Sequence, residues 1–252
     1  MPRHKRLGIF QVIMKYKFLV VFVLFICNAN SQNNLGGKIS FGHRIVELGI
    51  DTSAVSNDHV KSVIVNQIMR SKRALEKTNE LYQLTFNTNE SLFETLPFLD
   101  NDFDPILSRF ISKMKYYHNL SECSNLEQIP VYGNLYIVDK EPKQYNWKLK
   151  NKTKKIAGFN CRLAVTSIIK NNKSVNVKAW YTPSIPVSLG PKDFNGLPGM
   201  ILAVEELGNF YYAIDVDFNE NIKIKEPKKG KTVSEQDFKQ IVKGSMKKMR
   251  GE

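Results

Sequence analysis

The residues able to do chemistry are scattered along this chain. Beyond the first 31 residues there are three histidines, His43, His59 and His118, with no His-x-His or His-x-x-x-His pair among them. A metal site on a helix or strand needs such a pair on one face, so none is expected. No serine sits in a Gly-x-Ser-x-Gly elbow. Gly36-Gly37 is too short for a phosphate-cradling loop. Asp215 and Asp217 fall two apart on a strand and share a face, which suits acid–base pairs or calcium but equally suits solvated strand ends. Glu205-Glu206 reads the same way. Trp180-Tyr181 and Tyr211-Tyr212 are aromatic pairs of the kind that line sugar or peptide grooves. Adjacent strand residues point to opposite faces, however, so Trp180 and Tyr181 do not form one platform. The expectation is no catalytic residue, no metal ligand and no cofactor.

The start of the chain carries the clearest functional signal. A basic stretch, Met14-Lys15-Tyr16-Lys17, precedes nine apolar residues, Phe18 to Ile26, and then Cys27-Asn28-Ala29-Asn30-Ser31. Basic, apolar, then small and polar is the order of a secretory signal. The apolar run is shorter than the roughly 20 residues a bilayer crossing needs. Residues 1–31 are read as a signal peptide with the true start at Met14 and cleavage after Ser31. Cys27 follows the bulky Ile26, which argues against lipid attachment. The product is expected in the periplasm or outside the cell, and not as an integral membrane protein.

Residues 32–252 are then one β-rich domain, long enough for one substantial core. The formal charge of +13 falls to +8 on cleavage, because the removed segment holds five Lys or Arg and no acid. Basic exported proteins meet anionic lipid heads or polyanionic glycans. Lysines also mark solvated faces and edge strands. Arginine is scarce and the aromatics do not interleave with it, which argues against nucleic acid. Cys123 and Cys161 remain after cleavage and form a candidate disulfide in an oxidising compartment.

The elements follow from periodicity. Lys38 to Ile50 reads as a strand, Val60 to Glu76 as a weak helix, and Leu81 to Phe86 as a strand with Tyr82, Leu84 and Phe86 inward. Asn87-Thr88-Asn89 is a turn. Ser91 to Asp104 shows no readable pattern, and Ile106 to Tyr117 suits a short strand or helix. Val131 to Asp139 bends at Gly133. Tyr145 to Leu149 alternates, Lys150 to Lys155 reads as a polar hairpin, and Gly158 breaks the chain. Cys161 to Ile169 and Ser174 to Tyr181 form a hairpin over an Asn-rich turn. Pro198-Gly199 suits the centre of a type II turn. Met200 to Val204 and Asn209 to Val216 are strands, and Asn221 to Lys225 is a candidate last one. Ser234 and Asp237 have capping-box spacing ahead of a C-terminal amphipathic helix. The whole is mainly β: an antiparallel meander in a curved sheet or half-barrel with a few flanking helices.

Several of these segments, in this order, resemble the GLPGLI family of exported Bacteroidetes proteins of unassigned function. Gly196-Leu197-Pro198-Gly199-Met200-Ile201 is similar to its name motif, with Met200 in place of leucine. Lys155, Gly158 and Cys161 resemble an upstream block. So do Trp180, Tyr181, Pro183, Pro186, Gly190 and Pro191, and more weakly Leu84 to Asn87 and Ser91 to Phe93. The resemblance implies an exported envelope protein and brings no reaction with it. Its pattern is similar to the curved sheets of periplasmic lipoprotein carriers, which enclose an apolar cavity. The first expectation is therefore a noncatalytic binding or carrier protein for a small apolar or peptide ligand. The alternatives are an assembly factor that contacts other envelope proteins through a sheet edge, and a hydrolase of unassigned type.

Overall fold

The computed structural model describes residues 35–46, 56–78, 80–97, 113–170 and 173–250, the side chains of 246 and 248–250 excepted. Residues 1–31, expected to be a signal peptide and containing Cys27, lie outside them, as do parts of the stretches 38–50, 91–104 and 106–117.

Two antiparallel meanders build one twelve-stranded sheet that does not close into a barrel. The first contains β1 (Gly37–Ile45), β2 (Tyr82–Phe86), β3 (Glu90–Thr95), β4 (Lys115–Asn119), β5 (Ser124–Val131) and β6 (Asn134–Lys140). The second contains β7 (Lys148–Ile156), β8 (Phe159–Lys170), β9 (Lys173–Thr182), β10 (Met200–Glu206) and β11 (Asn209–Phe218). They meet where β1 pairs with β11. A short β12 (Lys231–Ser234) pairs in parallel with β6 and forms one edge of the sheet, and β7 forms the other.

Three hairpins turn on a two-residue loop ending in glycine: Tyr132-Gly133, Ala157-Gly158 and Leu207-Gly208. Both residues of each have positive φ. That is the type I′ geometry, whose twist matches the right-handed twist of the flanking strands. The Asn87 turn works differently. Its side-chain oxygen accepts from the amides of Asn89 and Glu90 at 2.8 and 2.7 Å, closing β2 to β3.

Helix α1 (Asp58–Lys77) starts on Asn57, whose side chain accepts from the His59 and Val60 amides. Its buried residues Ile68, Ser71 and Leu75 fall at helical spacing, and it packs against β1. Helix α2 (Glu235–Arg250) starts on the expected capping box: Ser234 Oγ accepts from the Asp237 amide and donates to the Asp237 carboxylate. Phe238 meets Tyr136 of β6 edge-on at 5.7 Å, which holds the helix to the sheet end.

Three local expectations are corrected. Lys150 to Lys155 is part of β7 and not a hairpin; an edge strand exposed on both faces carries lysines that read as loop. No strand forms at 221–225; the last strand is β12, too short and too polar to show a period. Pro198-Gly199 does not form a type II turn. The Gly199 amide donates back to Leu197 O at 2.8 Å, a three-residue turn, while the Met200 amide donates to Ile185 O at 2.9 Å.

That last bond belongs to a long insert between β9 and β10. The insert, Pro183 to Gly199, lies across one face of the sheet. Ile185, Val187, Leu189, Phe194 and Leu197 are all at most 2% exposed. Phe194 and Leu197 pack with Ala164, Val177, Ala179, Tyr181, Ile201 and Val204 of the strands beneath. We call this the covered face. Its path requires Gly199, whose φ is 142° and where an added Cβ would stand 2.1 Å from Thr182 O.

Gly199→Ala is expected to cost more than about 3 kcal/mol of stability in denaturant unfolding, or to prevent folding, because the clash is with backbone. Gly133→Ala, at φ 77° with nothing within 4 Å, should cost only about 1–2 kcal/mol.

Candidate functional site

The polar residues of the covered face converge where the two meanders join. Cross-strand register sets His43 of β1 opposite Tyr211 of β11, and the two rings stack at 4.4 Å and 7°. Tyr82 of β2 meets Tyr211 edge-on and stacks on Phe93 of β3. Tyr116 of β4 lies beyond Phe93. Burial raises the pKa of Tyr82, Tyr116 and Tyr211, so these phenols stay protonated across the physiological range.

The insert brings the charges. Lys192 adopts a left-handed backbone, φ 57°. Its Nζ lies 4.1 Å from the Tyr211 ring centroid and donates to Glu206 Oε1 at 2.7 Å. Lys170 donates to Glu206 Oε2 at 2.6 Å. Glu206 is 3% exposed. Burial pushes its carboxyl up, but Lys192 and Lys170 outweigh this and hold it below its usual range. One residue on, Asp193 pairs with Lys143. Burial again opposes ionisation there, and Lys143 again prevails. His118 Nε2 donates to Lys192 O at 2.9 Å, and its Nδ1 pairs with the Asn125 side-chain amide. Trp147 donates from Nε1 to Asn195 O at 2.9 Å.

The insert is thus held through Lys192 to Glu206 and His118 of the sheet, and through Asp193 and Asn195 to Lys143 and Trp147 of the link between β6 and β7. Among the described residues His118 touches no nucleophile. His43 donates from Nε2 to Asn209 Oδ1 at 3.0 Å, and its Nδ1 is a buried acceptor without a partner. Burial pushes its pKa down to about 4, helped by Lys192 and opposed by Asn209, so the ring is neutral. His59 is exposed at the start of α1. Among the described residues no group of three or more His, Cys, Asp or Glu is placed to hold a metal ion. No helix among them is long and apolar enough to cross a membrane.

The aromatic pairs split as alternation requires. Tyr181 and Tyr211 are buried on the covered face, while Trp180 and Tyr212 lie on the opposite one. Asp215 and Asp217 are exposed on β11. Glu205 faces away from Glu206 and bonds Lys178 at 2.8 Å. The expectation that Glu206 is a solvated strand-end acid is corrected: it is the buried anchor of the insert. Nothing in its sequence neighbourhood marks it, because both lysines are distant in the chain.

Cys123 and Cys161 are not bonded to each other. Cys123 is exposed in the β4–β5 turn, and Cys161 is fully buried in β8, eight positions from β5 in the sheet order. A disulfide needs Cα atoms within about 7 Å. Burial pushes the Cys161 thiol up to about 11. The remaining motif residues serve the insert or strand geometry. Gly190 has no room for a Cβ beside Ile201, Leu197 is core, and Gly158 completes a type I′ turn.

A second feature lies at the β12 end of the sheet. A groove of about 970 Å³ runs between β12, the end of β6 and α2, lined among others by Asp139, Pro142, Val233, Glu235, Asp237 and Ile241. Cys123 stands at its border.

A family model described as "Protein of unknown function (Porph_ging)" matches residues 166–203, which span the end of β8, β9, the insert and the start of β10. No curated protein matches the chain. Solved structures of PNGF-II in space groups P21 and C2 resemble it with TM-scores of 0.53 and 0.51 at 14% identity. Each likeness covers 82% of this chain, which spans 33% and 32% of PNGF-II respectively. At that identity the likeness concerns the fold.

Two outcomes follow from the geometry. Protein produced without residues 1–31, which hold Cys27, should react natively with a thiol reagent at Cys123 alone, and after unfolding at Cys123 and Cys161 without added reductant, counted by mass. The folded pKa of His43 lies below its ordinary 6.5, so the unfolded chain takes up that proton first. Melting temperature should therefore fall as pH drops from about 6.5 towards 4. Glu206, also depressed, should add a further loss below the usual carboxylate range. His43→Gln should flatten the upper part of the curve and Glu206→Gln the lower.

Proposed function

We propose that this chain is an exported, noncatalytic binding protein of the cell envelope, of the GLPGLI type, whose ligand is an extended peptide segment. One observation carries the noncatalytic part. The buried ionisable groups of the covered face are taken up in structural contacts: Glu206 and Asp193 hold the insert, Glu127 pairs with Lys140, and His43 stacks on Tyr211, and among the described residues neither buried histidine reaches a nucleophile. The matched family region includes Gly196 to Ile201, which supports the GLPGLI resemblance. The basic and apolar segment at 14–31 supports export.

The peptide part rests on the groove beside β12. Its volume suits a ligand of several residues. Its lining mixes carboxylates with Val233, Pro142 and Ile241, and β12 pairs on one side only, so strand addition has unpaired backbone to use. An apolar carrier is less well supported, because the insert's own Ile185, Val187, Leu189, Phe194 and Leu197 fill the covered face. The likeness to about a third of PNGF-II is in keeping with a fold used as a module.

Native mass spectrometry of the protein purified from its own envelope tests this. The expected result is an added mass that fragments as peptide and is reduced at least tenfold by Ile241→Glu. An adduct that fragments as lipid would restore the carrier reading. A chain that is free of adducts, and takes none up from an envelope peptide extract, would overturn both.

A further inference from the structure

Arg44 of β1 and Lys154 of β7 belong to strands five positions apart in the sheet order, yet both side chains end over one ring. The Arg44 guanidinium lies 5.9 Å from the Phe210 centroid and 4.5 Å from that of Tyr212. Lys154 Nζ lies 4.8 Å from Phe210 and 5.1 Å from Trp180. This convergence occurs because β7 curls back until it touches β11. Phe210 and Tyr212 stack at 5.5 Å, so the cleft between the two strands has a continuous aromatic floor.

Two like charges are thus held together on the face opposite the insert. Their closeness is felt: after burial, Arg44 is the next cause lowering the pKa of Lys154. Among the described residues neither cation has a carboxylate bonded to it. Glu205, opposite Phe210 in the register, is taken by Lys178 at 2.8 Å. Asp215 and Asp217 stand exposed further along β11. The register also sets Lys148, Lys150 and Lys154 opposite Val165, Leu163 and Cys161, alternate residues of β8, so these three lysines share a face of β7. They form a line of about 13 Å, four β8 residues at about 3.3 Å each, because β7 bulges after Lys150.

We propose that the cleft between β7 and β11 binds a linear acidic polysaccharide, with Arg44 and Lys154 holding one carboxylate or sulfate group together and Lys150 and Lys148 following the chain along β7. The planar guanidinium, braced on Tyr212, gives the paired N–H donors such a group accepts. Tyr212 and Trp180, half-buried on this face, suit the apolar faces of sugar rings. Edge-strand lysines alone would be explained as guards against strand pairing. Arg44 lies on an interior strand, needs no such guard, and still turns towards them. Both side chains are exposed, yet each ends over aromatic rings, which orders them as a pair.

The test is calorimetric titration of the whole secreted chain with a heparin-derived octasaccharide and with oligogalacturonate, at 50 and 300 mM NaCl. At least one should bind and weaken with salt. Arg44→Gln with Lys154→Gln should weaken it at least tenfold with melting temperature unchanged. Arg44→Lys, which keeps the charge but loses the fork, should give an intermediate loss. Lys223→Gln with Lys225→Gln, distant in sequence and equal in charge, should leave affinity within twofold. An equal loss in that control, or equal affinity for single-stranded DNA, would reduce the patch to unselective attraction and overturn the proposal. Absence of binding to either oligosaccharide would overturn it too, as would binding confined to phosphatidylglycerol vesicles.

Discussion

Glu206 is a carboxylate at the end of a buried strand, and its surroundings are organised by the need to keep it charged. An ionised carboxylate loses several kcal/mol on leaving water unless cations and hydrogen bonds replace its hydration. Lys170 supplies one cation from the end of β8, two strands away in the same meander. Lys192 supplies the other and can do so only if the insert between β9 and β10 is laid across the sheet. Lys192 then also covers the Tyr211 ring, and its backbone oxygen receives His118 from the first meander. A single side chain thereby ties together strands that are far apart in sheet order.

The apolar part of the insert follows from that attachment. With Lys192 and Asp193 docked, the residues on either side come down onto Val177, Ala179, Tyr181 and Val204, where Phe194 and Leu197 are excluded from water. The insert covers β10 on one face only, yet the strand is buried on both. Met200 to Val204 are all fully buried, and such strands read as unbroken apolar runs rather than alternating ones. The glycines and prolines are the backbone cost of this path. Gly199 passes where no side chain fits, and Gly190 lies against Ile201. What distinguishes this stretch in sequence is therefore explained by architecture before any ligand is invoked.

Reading the sequence succeeded where a pattern is local. The alternation of Tyr82, Leu84 and Phe86, the Ser234–Asp237 cap, the glycine-ended turns and the opposite orientation of Trp180 and Tyr181 all depend on neighbours within a few residues. It failed where the cause is distant. Lys150 to Lys155 looked like loop because strand β7 has a partner on one side only and water on both faces. Lys231 to Ser234 carries no period because its place depends on pairing with β6, roughly a hundred residues earlier. Pro198-Gly199 has a standard turn signature, yet Ile185 captures the Met200 amide that such a turn would use.

By itself the sequence determined the class of this protein: mainly antiparallel β, closed by a C-terminal helix, with no catalytic motif and a glycine–proline block of narrow conformational freedom. Periodicity, turn chemistry and capping are short-range properties, so they can be read from a single chain. Only the tertiary structure decided which polar residues matter. Glu205 and Glu206 are neighbours of the same type, yet one bonds an exposed lysine and the other is the buried anchor of the insert. Arg44 and Lys154 are unremarkable until β7 curls onto β11 and sets them over one ring. Both outcomes depend on which strands become adjacent, and that is settled by the packing of the whole sheet.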